Sequence, residues 1–356
     1  MNLYQNEKYM QGLHDIATLN YNWKRLRGKN LAISGGTGMI GRFMIDVLMY
    51  RNKFFDQDVH LYVLGRNPDK AGERFSYYKE SPYFNYIRQD INYPVDVSKW
   101  DKRINSMDYI IHAASPTHPL AYSKDPIGTI TANVIGLNNL LSWGNNMNCQ
   151  RFVFLSSVEI YGESRNDRDV FTEDYMGYID CNSLRAGYPE SKRTGEALCR
   201  AYISRKNMDI VIPRLSRVYG PTMLMSDSKA VSQFIKKGLN KEDIVLKSKG
   251  TQYYSYSYVA DAVSAILHIM FDGTSGEAYN VASADSDVTL KDLAALVADY
   301  ASTRVVYEKP SEIEASGYSR ATTAILSTKK LEKTGWTSIY SIEEGIKLTM
   351  DILRGK

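Results

Sequence analysis

Ser34-Gly35-Gly36-Thr37-Gly38-Met39-Ile40-Gly41 lies between a short apolar segment, residues 30–34, and a segment with helical spacing, residues 42–50. The tight turn needs Gly35, close approach of the backbone to a pyrophosphate needs Gly38, and close packing of helix on strand needs Gly41. The N–H groups at the start of the helix, at Met39 and Ile40, present the positive end of the helix dipole to phosphate. In this position the glycine pattern predicts a dinucleotide-binding turn.

Strand-like and helix-like segments alternate outward from this turn. Further apolar, strand-like runs are found at residues 59–64, 108–114, 151–155 and 209–213. Long helical stretches, residues 125–143 and 183–204, lie between them. Such alternation is typical of a parallel sheet with helices on both faces. We therefore predict an α/β protein built on a Rossmann-type, doubly wound parallel sheet.

The alternation weakens beyond residue 220, where tyrosine-rich segments and short helices follow. A polar and aromatic segment, residues 1–28, precedes the first strand and is expected to form an N-terminal arm. The dinucleotide-binding domain is predicted at residues 29–215, with residues 253–275 returning to it. A smaller substrate-binding lobe is predicted from residues 216–252 and 276–356.

The composition argues against several classes of protein. The 356 residues are 44% hydrophobic and 24% charged, which excludes a disordered or fibrous chain. A formal net charge of +4 without a basic block argues against binding to nucleic acid or to a membrane surface. Cys149, Cys181 and Cys199 lack metal-ligand spacing, so no metal site is predicted. Since the chain has neither an apolar run of membrane-spanning length nor an apolar N-terminal signal, a cytoplasmic protein is expected.

The second strand-like run ends in Leu64-Gly65-Arg66 rather than in an acidic residue. An acid here would bind the ribose 2′-hydroxyl of NAD, whereas a guanidinium can bind a 2′-phosphate. The sequence therefore favours NADP(H), with NAD(H) as the alternative, unless Arg66 is only a solvated turn residue. Asp90 and Ile91 follow the third strand, where such folds often contact adenine; they are equally well explained as ordinary strand-end residues.

Tyr188 and Lys192 lie four residues apart, on one face of a predicted helix. A lysine here can hold the cofactor ribose and lower the tyrosine pKa by its charge. The tyrosine can then exchange a proton with a sugar hydroxyl while a hydride moves to or from nicotinamide. Ser157, just after the strand-like run 151–155, is predicted to hydrogen-bond the same substrate oxygen. Glu159 is either a second base or a structural acid.

Together these motifs resemble the extended short-chain dehydrogenase/reductases, the group of nucleotide-sugar epimerases, dehydratases and decarboxylases. The resemblance covers about residues 30–336 and extends to three further segments: His112-Ala113-Ala114-Ser115-Pro116, Thr131-Ala132-Asn133-Val134-Ile135-Gly136 and Tyr258-Val259-Ala260-Asp261. Within the group, the substrate-side segments are most similar to UDP-glucuronate decarboxylases. The resemblance implies an NAD(P)-dependent enzyme whose partner is a nucleoside-diphosphate sugar.

The resemblance also implies roles for individual residues. The cofactor would contact Ala113, Ala114, Ser115 and Asn133, and the substrate would contact Pro116, Thr117, Arg185 and Thr222. An arginine that binds the substrate diphosphate in relatives falls at Tyr254, another family arginine falls at Lys229, and a family asparagine falls at Arg217. We therefore expect Arg217 and Lys229 to hold the diphosphate, and Tyr254 to line the same pocket.

Three functions remain open at this point. An NADPH-linked reductase or dehydrogenase of a nucleotide sugar is slightly favoured by Gly65-Arg66. The alternative is a redox-neutral UDP-glucuronate decarboxylase or 4-epimerase that keeps NAD bound, and a non-catalytic dinucleotide-binding sensor is a minor third. Val158 replaces the acid of the 4,6-dehydratases, which disfavours dehydration. The helices predicted near 126–143 and 188–204 have apolar faces on both sides, and matching helices pair in this family, so a homodimer is expected.

Overall fold

The central element of the fold is one large parallel β-sheet. The computed structural model describes residues 3–100, 104, 106–116, 124–165, 167–310 and 321–356. The strands of the sheet are β1 (Asn30–Ser34), β2 (His60–Gly65), β3 (Phe84–Arg88), β4 (Tyr109–His112), β5 (Arg151–Phe154), β6 (Ser156–Ser157), β7 (Ile210–Leu215) and β11 (Ala278–Val281). Their spatial order is β11-β7-β5-β4-β1-β2-β3, with β6 paired to β7, and every pair is parallel. The predicted α/β fold is confirmed.

Helices cover both faces of this sheet. The helices of the described residues are α1 (Glu7–Ala17), α2 (Met39–Phe55), α3 (Pro68–Phe75), α4 (Pro126–Asn146), α5 (Gly187–Lys206), α6 (Ala230–Leu239), α7 (Val259–Asp272), α8 (Leu290–Ala301), α9 (Lys329–Glu332) and α10 (Ile342–Arg354). Of these, α6, α8 and α10 pack on one another and on the smaller sheets. Successive residues of a strand point to opposite faces. Leu31 and Ile33 of β1 accordingly lie in one apolar cluster and Ala32 in the other. The near-continuous apolar strands of the sequence follow from this burial on two sides.

A smaller sheet stands beside the large one. Its strands are β8 (Arg217–Tyr219), β10 (Tyr253–Tyr258), β12 (Asp287–Thr289) and β14 (Thr323–Ala324), and a separate pair is formed by β9 (Ile244–Leu246) and β13 (Val305–Tyr307). β10 belongs to the smaller sheet, because it pairs with β8, β12 and β14, and β11 belongs to the large sheet, because its backbone pairs with β7. The predicted domain boundaries stay a prediction.

The N-terminal segment is packed against the body of the protein. Tyr9, Leu13 and Ile16 of α1 are buried. The Tyr9 hydroxyl donates to the Asp46 carboxylate of α2 at 2.5 Å, and the same carboxylate accepts from Arg42 Nε at 2.8 Å. A buried carboxylate is costly unless hydrogen bonds and a positive partner compensate it, and Asp46 has both. The first helix is thereby fastened to the helix that follows the glycine-rich turn.

Candidate active site

The glycine-rich turn lies at the carboxyl edge of the large sheet, between β1 and α2. Gly35 has a φ of +76°, and a Cβ there would stand 2.6 Å from Ala114 N. A Cβ on Gly41 would stand 2.6 Å from Gly35 O. Gly38 caps α2 without a side chain, which leaves the N–H groups of the first helical turn open to an anionic ligand. A cradle with no space for side chains and with free N–H groups fits the pyrophosphate of a dinucleotide.

The neighbouring strand end supports this turn through a chain of hydrogen bonds. Ala113 N donates to Ser34 O at 3.1 Å, and Ser115 Oγ donates to Asn133 Oδ1 at 2.7 Å. The amide nitrogen of Asn133, which is fully buried, donates to Ser191 Oγ at 2.9 Å. These contacts connect β4 to α4 and α5, so Asn133 positions the loop that begins at Ala113.

Asp90 and Ile91 follow β3 as predicted, but both have structural partners. Asp90 Oδ1 accepts from the backbone N–H of Asn92 at 3.0 Å. Ile91 is buried against α4, where a Cβ on Gly136 would stand 2.7 Å from Ile91 Cδ1. Their contact with adenine therefore stays a prediction.

Arg66 is exposed at the end of β2. The next residue, Asn67, caps α3 by accepting from Lys70 N at 2.9 Å. An exposed guanidinium in a turn is equally compatible with a solvated side chain. The preference for NADP(H) that we predicted from Arg66 consequently gains no support from its position.

Tyr188 and Ser157 meet at the carboxyl end of the large sheet. Tyr188 lies in the first turn of α5 and is 5% exposed. Burial raises the pKa of Tyr188 to about 12, and a hydrogen bond with Ser157 opposes this rise. The phenol therefore holds its proton at neutral pH in this structure, with the serine hydroxyl beside it. The two hydroxyls are therefore adjacent, and their shared contact with one substrate oxygen stays a prediction.

Lys192 lies one turn further along α5 and is 3% exposed. Its Nζ donates to the Leu155 carbonyl at 2.8 Å and is 6.0 Å from the centroid of the Tyr188 ring. Burial lowers the pKa of Lys192 to about 7. Burial is the largest influence on the pKa of Tyr188, so the expected lowering of that pKa by the lysine charge stays a prediction.

His112 is a site residue to which the sequence analysis assigned no role of its own. Ser34 and His112 are register partners on β1 and β4, and Ser34 Oγ lies 2.7 Å from His112 Nδ1. Burial, together with the charge of Lys192, lowers the pKa of His112 to about 3, so the ring is neutral. The signal available in the sequence was the position of both residues at the carboxyl ends of adjacent strands.

A charged cluster lies next to Ser157 on the substrate side. Glu159 Oε2 accepts from Arg185 Nη2 at 2.8 Å, and Glu159 Oε1 is 3.7 Å from Arg217 Nη2. The guanidinium carbon of Arg217 lies 3.4 Å from the centroid of the Tyr254 ring. The fold thus brings together four residues that the sequence analysis selected from segments far apart in the chain. With these partners Glu159 resembles the structural acid more than the second base.

The other predicted substrate residues that the structure describes have hydrogen-bond or ionic partners outside this cluster. Lys229 Nζ is 3.3 Å from Asp227 Oδ2, so its charge already has a partner. Thr222 is 1% exposed and its hydroxyl donates to the Met39 carbonyl at 2.9 Å, which docks the lobe onto α2. Pro116 accepts from Ser115 Oγ at 3.1 Å. Thr117 lies outside the described residues. Among the described residues no group of His, Cys, Asp and Glu could hold a metal ion.

The buried lysine predicts a pH-dependent stability. The pKa of Lys192 is lowered in the folded state from 10.5 to about 7. Between these values the unfolded chain binds more protons than the folded chain, so the free energy of unfolding rises with pH across this range. The lysine therefore lowers the free energy of unfolding most below pH 7. Lys192→Met is expected to raise the free energy of unfolding at pH 7 by on the order of 1 kcal/mol or more, and by less at pH 10.

Urea unfolding at the two pH values measures this difference. Lys206→Met, an exposed position at the end of the same helix, is the control and should show no such pH dependence. An equal gain for Lys192→Met at both pH values would contradict a buried, desolvated ammonium.

Comparison with known proteins agrees with this geometry. The model of the NAD dependent epimerase/dehydratase family matches residues 31–282. UDP-glucuronic acid decarboxylase 2 of Arabidopsis thaliana is 28% identical over 328 residues, which are 92% of this chain and 69% of that protein. UDP-glucuronic acid decarboxylase 3 of the same plant is 31% identical over 246 residues, 69% of this chain and 67% of the relative.

Solved structures agree on the fold. The UDP-glucuronic acid 4-epimerase of Bacillus cereus, in complex with UDP-glucuronic acid and NAD, superposes with a TM-score of 0.76 at 19% identity, covering 91% of this chain and 98% of that one. A dTDP-glucose 4,6-dehydratase of Streptomyces venezuelae with NAD bound superposes with a TM-score of 0.77 at 21% identity, covering 91% of this chain and 97% of that one. Given the family match over most of its length, the glycine cradle and the serine–tyrosine–lysine site, the chain belongs to the NAD dependent epimerase/dehydratase family.

Proposed function

We propose that the protein is a redox-neutral UDP-glucuronate decarboxylase. The observation that carries the proposal is the buried Ser157–Tyr188 pair next to Lys192, at the edge of a cradle that fits a dinucleotide. With a nicotinamide dinucleotide bound, this set can support oxidation of a sugar hydroxyl to a carbonyl and later reduction of that carbonyl. The choice of substrate is supported by the decarboxylases that are 28–31% identical over two thirds or more of this chain. The reductase that the sequence slightly favoured has no comparable support.

The chain's own residues would carry the proton steps. In the oxidation step Tyr188 would act as the phenolate, which takes the proton of the sugar hydroxyl; the phenol so formed would return the proton during reduction, and Ser157 would hold that oxygen in place. Lys192 would donate to the nicotinamide-side ribose while its Nζ stays anchored at Leu155 O. The turn at Gly35–Gly41 would hold the pyrophosphate. Val158, where the 4,6-dehydratases have an acid, is buried and cannot protonate a leaving hydroxyl.

Bound NAD would supply a hydride acceptor for the sugar carbon and return the hydride at the end of the cycle. Oxidation next to the carbon that bears the carboxylate creates a β-keto acid, whose C–C bond to the carboxylate breaks with loss of CO₂. The electron pair left on the sugar then takes up a proton, and reduction restores the hydroxyl. The products are CO₂ and a nucleotide pentose, with no net oxidation or reduction.

Incubation of the purified protein with UDP-glucuronate tests this proposal. We expect CO₂ and a UDP-pentose in equal amounts, with no stoichiometric change in nicotinamide absorbance. Conversion to another UDP-uronate without CO₂ would replace the proposal by the second candidate, a 4-epimerase, which is favoured by the superposition on such an enzyme. Consumption of NADPH in proportion to product would favour the reductase function instead. The absence of any reaction with UDP-glucuronate would show that the proposed substrate is wrong.

The same reaction scheme predicts that the retained cofactor is NAD rather than NADP. A redox-neutral cycle regenerates its cofactor on the protein, and Arg66 is exposed in this structure. Acid release of nucleotide from the purified protein, followed by chromatography, is expected to yield NAD. Release of NADP instead would reinstate Arg66 as a 2′-phosphate ligand, and Arg66→Ala should then lose that nucleotide selectively.

We also propose that the protein is a homodimer formed through α4 and α5. Ile127, Ile135 and Leu184 are exposed on or next to these helices. Burying such a face against its copy is favourable by about 25 cal/mol per Å² of apolar surface. Sedimentation at micromolar concentration should show a dimer, and Ile127→Glu with Ile135→Glu should shift it to monomer. A wild-type monomer at that concentration would contradict the proposal.

A further inference from the structure

A third ionisable residue continues the face of α5 that carries Tyr188 and Lys192. Glu196 follows at the same four-residue interval, so the three side chains lie along one stripe of the helix. The proton steps proposed above use the first two residues and leave Glu196 without a role. Its side chain is 13% exposed. A carboxylate withdrawn from water in this way needs hydrogen bonds or a positive partner, and Glu196 has both.

Glu196 holds the strand that carries the reacting serine. Ser156 Oγ donates to Glu196 Oε1 at 2.6 Å. Ser156 is buried and directly precedes Ser157, whose hydroxyl is hydrogen-bonded to Tyr188. Because β6 consists of only two residues, its backbone pairing with β7 gives it little support of its own. The bond from Ser156 to Glu196 therefore connects this strand to α5 within one residue of the reacting serine.

Arg214 of β7 is the positive partner of Glu196. Arg214 Nε donates to Glu196 Oε1 at 3.0 Å, and Arg214 Nη2 donates to Glu196 Oε2 at 2.7 Å. The guanidinium and the carboxylate thus meet through two parallel bonds, which fix the orientation of both groups. Because Arg214 is only 4% exposed, desolvation offsets much of the attraction within this pair. Orientation is therefore a better explanation of the pair than stability.

The same guanidinium fixes the chain on the other side of Ser157. Arg214 Nη1 donates to the Tyr161 hydroxyl at 3.0 Å. Tyr161 ends the short helical turn Val158–Tyr161, which begins directly after Ser157. The Tyr161 hydroxyl in turn donates at 2.5 Å to Oδ1 of Asn280, a fully buried residue of β11. The segments before and after the serine are therefore both bound to one ion pair.

We infer that the ion pair of Glu196 and Arg214 positions the Ser157 hydroxyl beside the reacting phenol. The two are positioning residues, because they act on the backbone that flanks the serine and on α5. The inference deepens the proposed function and rests on it in taking Ser157 and Tyr188 as the reacting groups. Such groups must be held within about 0.5 Å of the productive geometry, and a displacement of ~1 Å can lower the rate ~10²-fold.

Ser156→Ala tests the positioning with the smallest change, since it removes one hydroxyl and leaves both charges in place. We expect kcat with UDP-glucuronate to fall about tenfold, while KM and the content of bound nucleotide stay unchanged. Ser283→Ala is the matched control, because Ser283 is also buried and donates to Asp261 Oδ2 at 2.7 Å, outside the candidate active site. It should lower the melting temperature by a similar amount and keep its kcat. Wild-type kcat in Ser156→Ala, or an equal loss in Ser283→Ala, overturns the inference.

Arg214→Lys tests the ion pair itself, because it keeps the charge and loses the fork of two bonds. It should also lower kcat about tenfold at unchanged KM. Arg151→Lys is its control, because Arg151 is also buried and donates to Asp209 Oδ2 at 2.8 Å, but begins β5 at the opposite edge of the sheet. This variant should lower the melting temperature without changing kcat. A loss of kcat in both lysine variants, or in neither, contradicts a specific role of Arg214.

A double variant shows whether the two contacts act together. Ser156 and Arg214 both act through the Glu196 carboxylate. Ser156→Ala combined with Arg214→Lys should therefore lower kcat by less than the product of the two single losses. Losses that multiply would show that the two residues act independently, which contradicts a shared positioning role.

The two proposals can fail separately. Decarboxylation by the wild type, with unchanged kcat in Ser156→Ala and Arg214→Lys, overturns only the positioning role. A different reaction of the wild type, epimerisation or NADPH-dependent reduction, overturns only the proposed function, because the kcat of that reaction then serves for the same comparison. If the wild type turns over no UDP-sugar, the two hydroxyls are not a reacting pair and both proposals are overturned.

Discussion

Tyr188→Phe is expected to reduce kcat by ~10²–10⁴-fold while the protein remains folded and keeps its nucleotide. The substitution removes only the hydroxyl oxygen, which is the proton donor and acceptor placed beside Ser157. The ring stays in a site that is 5% exposed, so its packing is retained. Because the cradle at Gly35–Gly41 and Lys192 are the groups proposed to hold most of the nucleotide, its affinity should change little. Steady-state turnover, together with the nucleotide released on denaturation, measures both parts.

Tyr202→Phe is the matched control for this prediction. Tyr202 lies on the same helix, α5, and its hydroxyl donates to Asn138 Oδ1 at 2.9 Å, away from Ser157. Its removal should leave kcat unchanged and cost at most about 1 kcal/mol of stability. A Tyr188→Phe variant with more than half of the wild-type rate would show that another group transfers the proton.

Gly35→Ala is expected to abolish nucleotide binding and to lower the free energy of unfolding by roughly 2–5 kcal/mol. Gly35 has a φ of +76°, where a side chain is strained, and its Cβ would stand 2.6 Å from Ala114 N and 2.7 Å from Ala113 C. Both contacts are with backbone atoms of the adjacent strand end, so β1 and β4 would have to separate. That movement would displace the turn whose N–H groups bind the pyrophosphate.

Variants of two other glycines separate the effect of backbone strain from the effect of steric overlap. Gly28 has a φ of +66°, and a Cβ added there would meet nothing within 4 Å, so Gly28→Ala should show the strain alone, about 1 kcal/mol. Gly72 lies in α3 in open space, and Gly72→Ala should stabilise the helix by about 0.5–1 kcal/mol. Chemical unfolding and nucleotide titration of the three variants give the comparison. Retention of nucleotide by Gly35→Ala would contradict the role of the turn.

Local patterns were sufficient to predict five strands of the large sheet (β1, β2, β4, β5 and β7), the glycine-rich turn and the shared face of Tyr188 and Lys192. In each case the pattern depends on neighbours within one turn of helix or one strand. The sheet membership of β10 and β11 was not predictable in this way, because it depends on which open edge each strand reaches, and both strands are almost entirely buried. The ion pair of Lys229 was also not predictable from local patterns. Its partner, Asp227, lies only two residues away, but the direction in which both side chains point depends on how the lobe packs.

Electrostatics also depended on the tertiary structure. The spacing of Tyr188 and Lys192 places both side chains on one face, whereas burial in the packed chain raises the pKa of the tyrosine and lowers that of the lysine. Arg217 and Tyr254 were both selected from the sequence, since each departs from the residue found in relatives, yet their stacking follows only from the pairing of β8 with β10.

The amino-acid sequence by itself therefore determined the doubly wound fold, the dinucleotide cradle and the identity of the serine, tyrosine and lysine, because hydrophobic periodicity and glycine positions act over a few residues. Only the tertiary structure decided the lowered pKa of the buried lysine, the contacts of Glu159 with two arginines and the stacking of one of these arginines on Tyr254. Desolvation and ion pairing depend on which distant segments exclude water from each other, and that is a property of the packed chain.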